Sequence, residues 1–414
     1  MSAETYDVAI VGGGPAGLSA AIELKRRGVA NVALFERGTE LGGIPRHCGH
    51  PPFGMREFGR ILTGQAYARR LAGAAVAAGV TILAKYTVVH TGPDGLLTVA
   101  SPAGIQTIQA ARILIATGAR EATRAQLLVP GVRPLGVMNT AALQAFVYQE
   151  GRIPFRRPVI VGSELVSLSA ILTCRSHGIR PVAMVETEHE VQARPAFFAL
   201  PRVLGVPVMT GAQVLAIEGS PRVTSVRLRL ADGKETVLDC DGLIFSGRFI
   251  PEAALAEASA LALDLGTGGP VIDQHGRSSD PNIFVVGNMI HPIETAGYCW
   301  AEGRRVARLI AAELANARNA EPDKTPGRRI IAGAGLKYVV PQRLTLEGRG
   351  TVPALNIRAI GAARGRLILS DGSGTVLRTQ SVNTAPQKPI RFSLAGLNLA
   401  VDSSDLQLRL EPRP

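Results

Sequence analysis

Apolar residues along the first three quarters of the chain fall into short β-rich runs separated by stretches of helical spacing. Residues 6–11 (Tyr-Asp-Val-Ala-Ile-Val) form one run, residues 18–27 follow with a helical pattern, and residues 32–35 form the next run. This alternation continues from residue 5 to about residue 315 and predicts an α/β fold. Two of the runs, near residues 12 and 162, enter glycine-bearing turns, so two Rossmann-like dinucleotide-binding units are expected. Residues 319–329 are rich in charge and proline and read as a linker. Beyond residue 335 the period shortens to two, in pairs such as Leu344/Leu346, Leu355/Ile357 and Leu367/Leu369, with turn signals such as Asp371-Gly372 between them. This predicts an all-β, sandwich-like module over residues 335–414.

The first glycine turn is Gly12-Gly13-Gly14-Pro15-Ala16-Gly17, between a strand and a helix. Gly12 permits the tight turn, Gly14 lets the backbone approach a pyrophosphate, and Gly17 lets helix and strand pack closely. The helix start that carries Pro15 and Ala16 offers N–H donors to phosphate. Glu36, with Arg37 beside it, ends the second strand 24 residues after Gly12, where a carboxylate can bind ribose hydroxyls.

Three later segments decide which dinucleotide is bound: Leu41-Gly42-Gly43, then Ala116-Thr117-Gly118 after the run 113–115, then Gly287-Asn288 after the run 283–286. With the first turn, these motifs in order resemble the two-dinucleotide-domain flavoproteins, the glutathione reductase-like and thioredoxin reductase-like enzymes. The nearest resemblance is to flavin subunits of glycerol-3-phosphate- or amine/opine-dehydrogenase-like complexes. The resemblance implies FAD as the cofactor. It implies an FAD domain over residues 1–120 and 247–318, with a second dinucleotide-binding-like domain, 121–246, inserted in it. Asn288 stands where the family has Asp against the flavin ribityl chain. By the same resemblance, Thr295 and Ala296 open a helix that faces the flavin pyrimidine ring, where its positive end favours reduced anionic flavin.

The second turn, Gly162-Ser163-Glu164-Leu165-Val166-Ser167, departs from the pattern. In the family this turn holds NAD(P)H. Here Glu164 adds bulk and negative charge where a pyrophosphate must approach, which disfavours NAD(P)H and marks the unit as degenerate. Glu186, at the end of the next run, retains the character of a ribose ligand.

Between Gly43 and Met55 the chain carries Arg46, His47, Cys48 and His50, and the resemblance runs this stretch under the isoalloxazine. Arg46 is a candidate to hold an anionic substrate or the flavin N1–C2=O edge, and His47 or His50 to act as acid or base. Cys48 can react only as thiolate. Family disulfide reductases use a cysteine pair, and this loop has one cysteine. The only tryptophan, Trp300, is open to two readings, as a ring shield or as core.

Composition narrows the partners. The four cysteines are dispersed without C-x-x-C spacing, which excludes a disulfide framework and leaves no metal or iron–sulfur site expected. The net charge of +12 is spread without aromatic-interleaved basic runs, so no nucleic-acid partner is expected. No apolar run is long enough to span a bilayer, and no leader precedes the first strand, so a cytoplasmic chain is expected. The expected function is an FAD-dependent oxidoreductase, or the flavin subunit of a dehydrogenase complex. It would oxidise a small polar substrate by hydride transfer to flavin N5 and pass electrons to an external acceptor, such as a partner protein. Two other readings stay open: an NAD(P)H-dependent flavin reductase, and a non-catalytic FAD-binding scaffold. A homo-oligomer is compatible with any of these.

Overall fold

The computed structural model describes residues 4–193, 199–292, 294–316, 327–344, 354–397 and 405–413. The first run becomes strand β1 (Glu4–Val11), followed by helix α1 (Pro15–Arg26) and strand β2 (Val32–Glu36). Proline opens α1 where a missing N–H costs nothing, and Lys25 and Arg26 complement its negative end. β1 is parallel to β2 on one side and to β3 (Gly104–Ile115) on the other, with Val8 opposite both Val32 and Arg112. Val8, Ala9 and Ile10 are fully buried on alternate faces of this sheet, as expected when both faces are covered.

The chain leaves this sheet through Ala119–Glu121, builds a second layer, and returns through Phe249–Pro251; these two short strands pair antiparallel. The second layer is a five-stranded parallel sheet. Its centre is β4 (Pro158–Val161) beside β5 (Gly242–Phe245), with helices α2 (Thr140–Tyr148) and α3 (Leu165–Ser176) packed on it. After the return, β6 (Ile283–Val285) joins β3 in parallel, and α4 (Ala296–Asn316) lies along α1.

Contact between α1 and α4 is close because Gly303 meets the Ala16 carbonyl, and Ser19 Oγ donates to the Trp300 carbonyl at 2.9 Å. The partly buried Trp300 ring packs against the core shared by the two helices, with the Arg304 guanidinium 4.7 Å from it. The buried Glu23 accepts from Arg304 and Arg308, each at 2.9 Å. Burial alone would raise the Glu23 carboxyl, but hydrogen bonds from Arg308 and Arg304 outweigh it and hold the group at about 2. A depressed carboxylate adds stability above its ordinary value and loses it as pH falls through the folded one. Glu23→Gln is therefore expected to cost about 1–2 kcal/mol at pH 7, the arginines being partly exposed. Urea midpoints of variant and wild type should converge as pH drops from 4.5 towards 2.

The C-terminal residues form two sheets, one of five strands and one of three, closed over a core that includes Leu355, Leu367, Phe392 and Leu408. The sandwich starts earlier than expected. Arg328–Ala332 is a strand paired with Leu406–Pro412, and Arg328 is buried, so the charged segment read as a linker already belongs to the module at its end. Residues 319–326 of that linker lie outside the described residues. The strand Leu336–Val340 ties the module down: its Tyr338 and Val340 join the apolar core of the first unit.

Candidate functional site

The first glycine turn closes at the C-terminal ends of β1 and β3. Gly12 has φ +110°, and a Cβ there would meet the Ala116 carbonyl at 2.5 Å, so only glycine fits. The Ala116 N–H in turn donates to the Val11 carbonyl, which brings Ala116, Thr117 and Gly118 beside the turn. Gly14 differs. A Cβ there would have nothing nearer than Gly43 Cα at 4.0 Å, and no side chain caps α1 above it. Open space beside Gly14 and the first-turn N–H groups of α1, which a helix leaves without intrahelical partners, make an anion cradle.

Glu36 closes one side. Its two oxygens accept from the Gly13 and Gly38 N–H groups at 2.9 and 2.7 Å, which orients the carboxylate and leaves lone pairs for hydroxyls. Gly42 donates to the Gly13 carbonyl, which lays Gly43 over Gly14. Arg37 points outward and pairs with Glu252 at 3.6 Å; the carbonyl of Glu252 accepts from Thr117. Arg46 turns back towards the Glu36 side, donating to the Glu40 carbonyl at 2.9 Å with its Nε buried and unpartnered. The residues present fit a dinucleotide.

At the other end, Gly287 meets Ala16, so the starts of α1 and α4 converge. Asn288 is engaged on both amide atoms: Nδ2 donates to the Glu294 carbonyl at 3.1 Å and Oδ1 accepts from the Glu294 N–H at 2.9 Å. Thr295 opens α4, its carbonyl accepting from the Tyr298 and Cys299 N–H groups, and Ala296 is the first helical residue. Beneath them lies a buried pair, His291 Nε2 to Glu302 Oε1 at 3.2 Å, with Glu302 also accepting from the Gly287 N–H.

The loop after Gly43 packs against the second unit. Cys48 is buried, with Gln144 Oε1 at 3.4 Å, and burial with the nearby charge of Glu121 pushes its thiol up to about 12. Cys48 is thus a thiol at neutral pH, and the four cysteines are all free and buried. His50 is occupied on both nitrogens, by the Pro51 carbonyl and Ser169 Oγ. His47 is different: Nδ1 is buried without a partner, while burial first and the neighbouring Arg46 second lower its pKa, against a hydrogen bond at the Ala141 backbone. A neutral ring with an unpaired inward nitrogen can accept a proton.

Glu121 was not legible as a site residue. It lies in the first crossing strand and accepts from the Ala141 N–H at 2.7 Å and from the Gly247 N–H at 3.0 Å, the latter partner 126 residues away. Burial raises it to about 7 in spite of those bonds. A lone acid three residues beyond Gly118 gave no signal, because both of its donors arrive by tertiary folding.

The second glycine turn carries a carboxylate side chain where the first has a glycine. Gly162 keeps the tight geometry at φ +112°. Glu164 folds its carboxylate inward, against Gly247, where it accepts from the Arg248 N–H at 3.0 Å and leaves Oε2 buried without a partner. Burial raises this carboxyl, and the charge of Glu186 adds to it. Glu186 is itself spent on Ser163 Oγ and on the Glu188 N–H.

The family profile described as pyridine nucleotide-disulphide oxidoreductase matches residues 6–303, both glycine turns included and the C-terminal sandwich excluded. A probable ferredoxin reductase, CtmF, of Castellaniella defragrans is 30% identical over 186 residues, 43% of this chain and 43% of that protein. An opine oxidase subunit from Rhizobium meliloti is 26% identical over 345 residues, 75% of this chain and 62% of that protein. The chain thus spans less than two thirds of either relative. The crystal structure of T. acidophilum thioredoxin reductase shares the fold at a TM-score of 0.64 and 22% identity, over 75% of this chain and 99% of that one.

Proposed function

This chain belongs to the pyridine nucleotide-disulphide oxidoreductase family and is an FAD-dependent oxidoreductase, and from that premise we propose that it oxidises a small polar substrate and hands the electrons to an external acceptor. The observation that carries this reading is the contrast between the two glycine turns, open beside Gly14 and carrying the buried Glu164 side chain at the matching position. FAD, when bound, supplies the two-electron chemistry, and the protein positions it and excludes competing reactions.

Gly12, Gly14, Pro15, Ala16 and Gly17 would hold the pyrophosphate, with the start of α1 supplying donors. Glu36 would take the ribose, with Arg46 beside it on the same side of the cradle. Ala116, Thr117, Gly118, Gly287, Asn288, Thr295 and Ala296 would line the remainder. His47 would take the proton that leaves the substrate, at Nδ1, and Glu121, which also meets the Ala141 backbone, is a second proton acceptor. A pyridine nucleotide would meet Glu164 at the second turn, and electrons from a dithiol have no cysteine pair. An external acceptor is in keeping with the similar opine oxidase chain, which is one of the subunits of its enzyme.

Anaerobic screening of the purified flavoprotein tests the reading. NADH and NADPH are expected to leave the flavin absorption unbleached over minutes. A member of the polar acids, amines or phosphorylated polyols is expected to bleach it stoichiometrically. Rapid bleaching by either nicotinamide would instead make the chain a flavin reductase.

A further inference from the structure

The C-terminal sandwich lies outside the residues matched by the family profile, yet it grips the turn assigned to the flavin. Its strand Ala354–Ala359 alternates. Leu355 and Ile357 fill the sandwich core, and Asn356 and Arg358 project from the opposite face. That face lies on the first unit. Arg358 Nη2 donates to Glu294 Oε1 at 2.6 Å, with side-chain exposures of 3% and 11%. Its Nη1 donates to the Gln387 carbonyl at 2.7 Å and its Nε to Tyr338 Oη at 3.2 Å, so the guanidinium is satisfied on three nitrogens. Two residues earlier, Asn356 Nδ2 donates to Tyr298 Oη at 2.7 Å.

Both targets belong to the flavin-assigned segment. Glu294 is the residue whose backbone N–H and carbonyl are held by Asn288. Tyr298 stands in the first turn of α4, edge-on to His291 at 5.6 Å, and His291 leads through Glu302 to the Gly287 N–H. A polar chain therefore runs from Arg358 through Glu294 to Asn288, and a second path runs from Asn356 to Tyr298, whose ring contact with His291 leads on to Gly287. A pair this buried is costly to form and costly to break, which suits it to fixing one geometry.

We propose that the C-terminal sandwich is a part of the flavin site, with Arg358 and Asn356 as positioning residues that set the Asn288–Glu294 turn and the start of α4. The inference rests on the assignment of FAD to the first unit. FAD affinity of the deflavinated full-length chain, read by fluorescence quenching, tests it together with the flavin absorption maximum. Arg358→Met is expected to weaken FAD at least tenfold and to shift the absorption maximum, and Asn356→Ala to weaken it about threefold. The double variant Glu294→Gln/Arg358→Met removes both buried charges and should still weaken FAD, because it lacks the clasp. Leu367→Ala loosens the sandwich core at a residue whose sheet neighbours are Leu410 and Gln380, away from the clasp. It should lower Tm while keeping FAD affinity within twofold.

Wild-type affinity and an unshifted spectrum in Arg358→Met, Asn356→Ala and the double variant would overturn the inference alone. So would a loss of affinity that tracks Tm equally in Leu367→Ala. A wild-type chain unable to bind FAD would overturn the first-unit assignment, and this inference with it.

Discussion

Replacing Gly14 with valine is expected to give a folded protein that has lost FAD, with affinity down by at least a hundredfold. The separation of folding from binding follows from the local geometry. Gly14 has φ −81° and ψ −176°, an extended conformation open to any residue, and a Cβ there meets no atom closer than 4.0 Å. A valine is therefore tolerated by the fold. Its methyl groups occupy the space through which a pyrophosphate reaches the N–H groups of α1, and they remove the close approach on which that binding depends. Gly12 and Gly17 are the contrast. Side chains there would collide with the Ala116 and Gly12 carbonyls, so the same substitution should damage folding itself. Thermal unfolding of each apoprotein, with FAD titration, separates the two outcomes. Retention of FAD by the Gly14 variant would count against the cradle.

The second large effect is expected at His47. His47→Ala should lower kcat/KM by about 10² to 10⁴, the range for a general base, whereas His50→Asn should change it only slightly. The two imidazoles lie in one loop, but His50 spends both nitrogens on Pro51 and Ser169, and His47 keeps Nδ1 free. The pH dependence gives an independent check. Burial and the charge of Arg46 hold His47 below the usual 6.5, so the ring stays neutral at and below physiological pH. A base must be neutral to act, so activity should persist through pH 6.5 and fall only as pH drops through the lowered value. Arg46→Gln removes one of the two depressing influences and should move the acid limb upward. An acid limb at or above 6.5 in wild type, unmoved by Arg46→Gln, would assign the proton to another group, with Glu121 next in line.

Much of the architecture was legible because it depends on local pattern. The strand–turn–helix context of Gly12 to Gly17 and the carboxylate 24 residues on are encoded within one supersecondary unit, and period-two alternation marked the sandwich. Glu164 could be flagged from position alone, since a glutamate cannot leave the gap that a glycine leaves. Its inward fold onto Gly247 could not, because Gly247 arrives from the far side of the inserted unit. The loop residues were legible as a group and not as individuals. Arg46, His47, Cys48 and His50 are equally suggestive in sequence, and only burial and partners separate a free nitrogen from an occupied one. Glu121 and Arg358 were invisible for the same reason. Each is an ordinary charge in a short β pattern whose meaning comes from donors or acceptors at least twenty residues away. The boundary at Arg328 was missed because a charged segment reads as solvated, while Arg328 is 4% exposed.

Equilibrium binding to the deflavinated chain tests the contrast between the turn open beside Gly14 and the turn that carries Glu164 most directly. Calorimetric titration with FAD is expected to show one site per chain, and titration of the reconstituted protein with NADPH or NADH to show no saturable heat at millimolar ligand. Saturable nicotinamide binding at the turn that carries Glu164, or no FAD binding at the turn that carries Gly14, would contradict it.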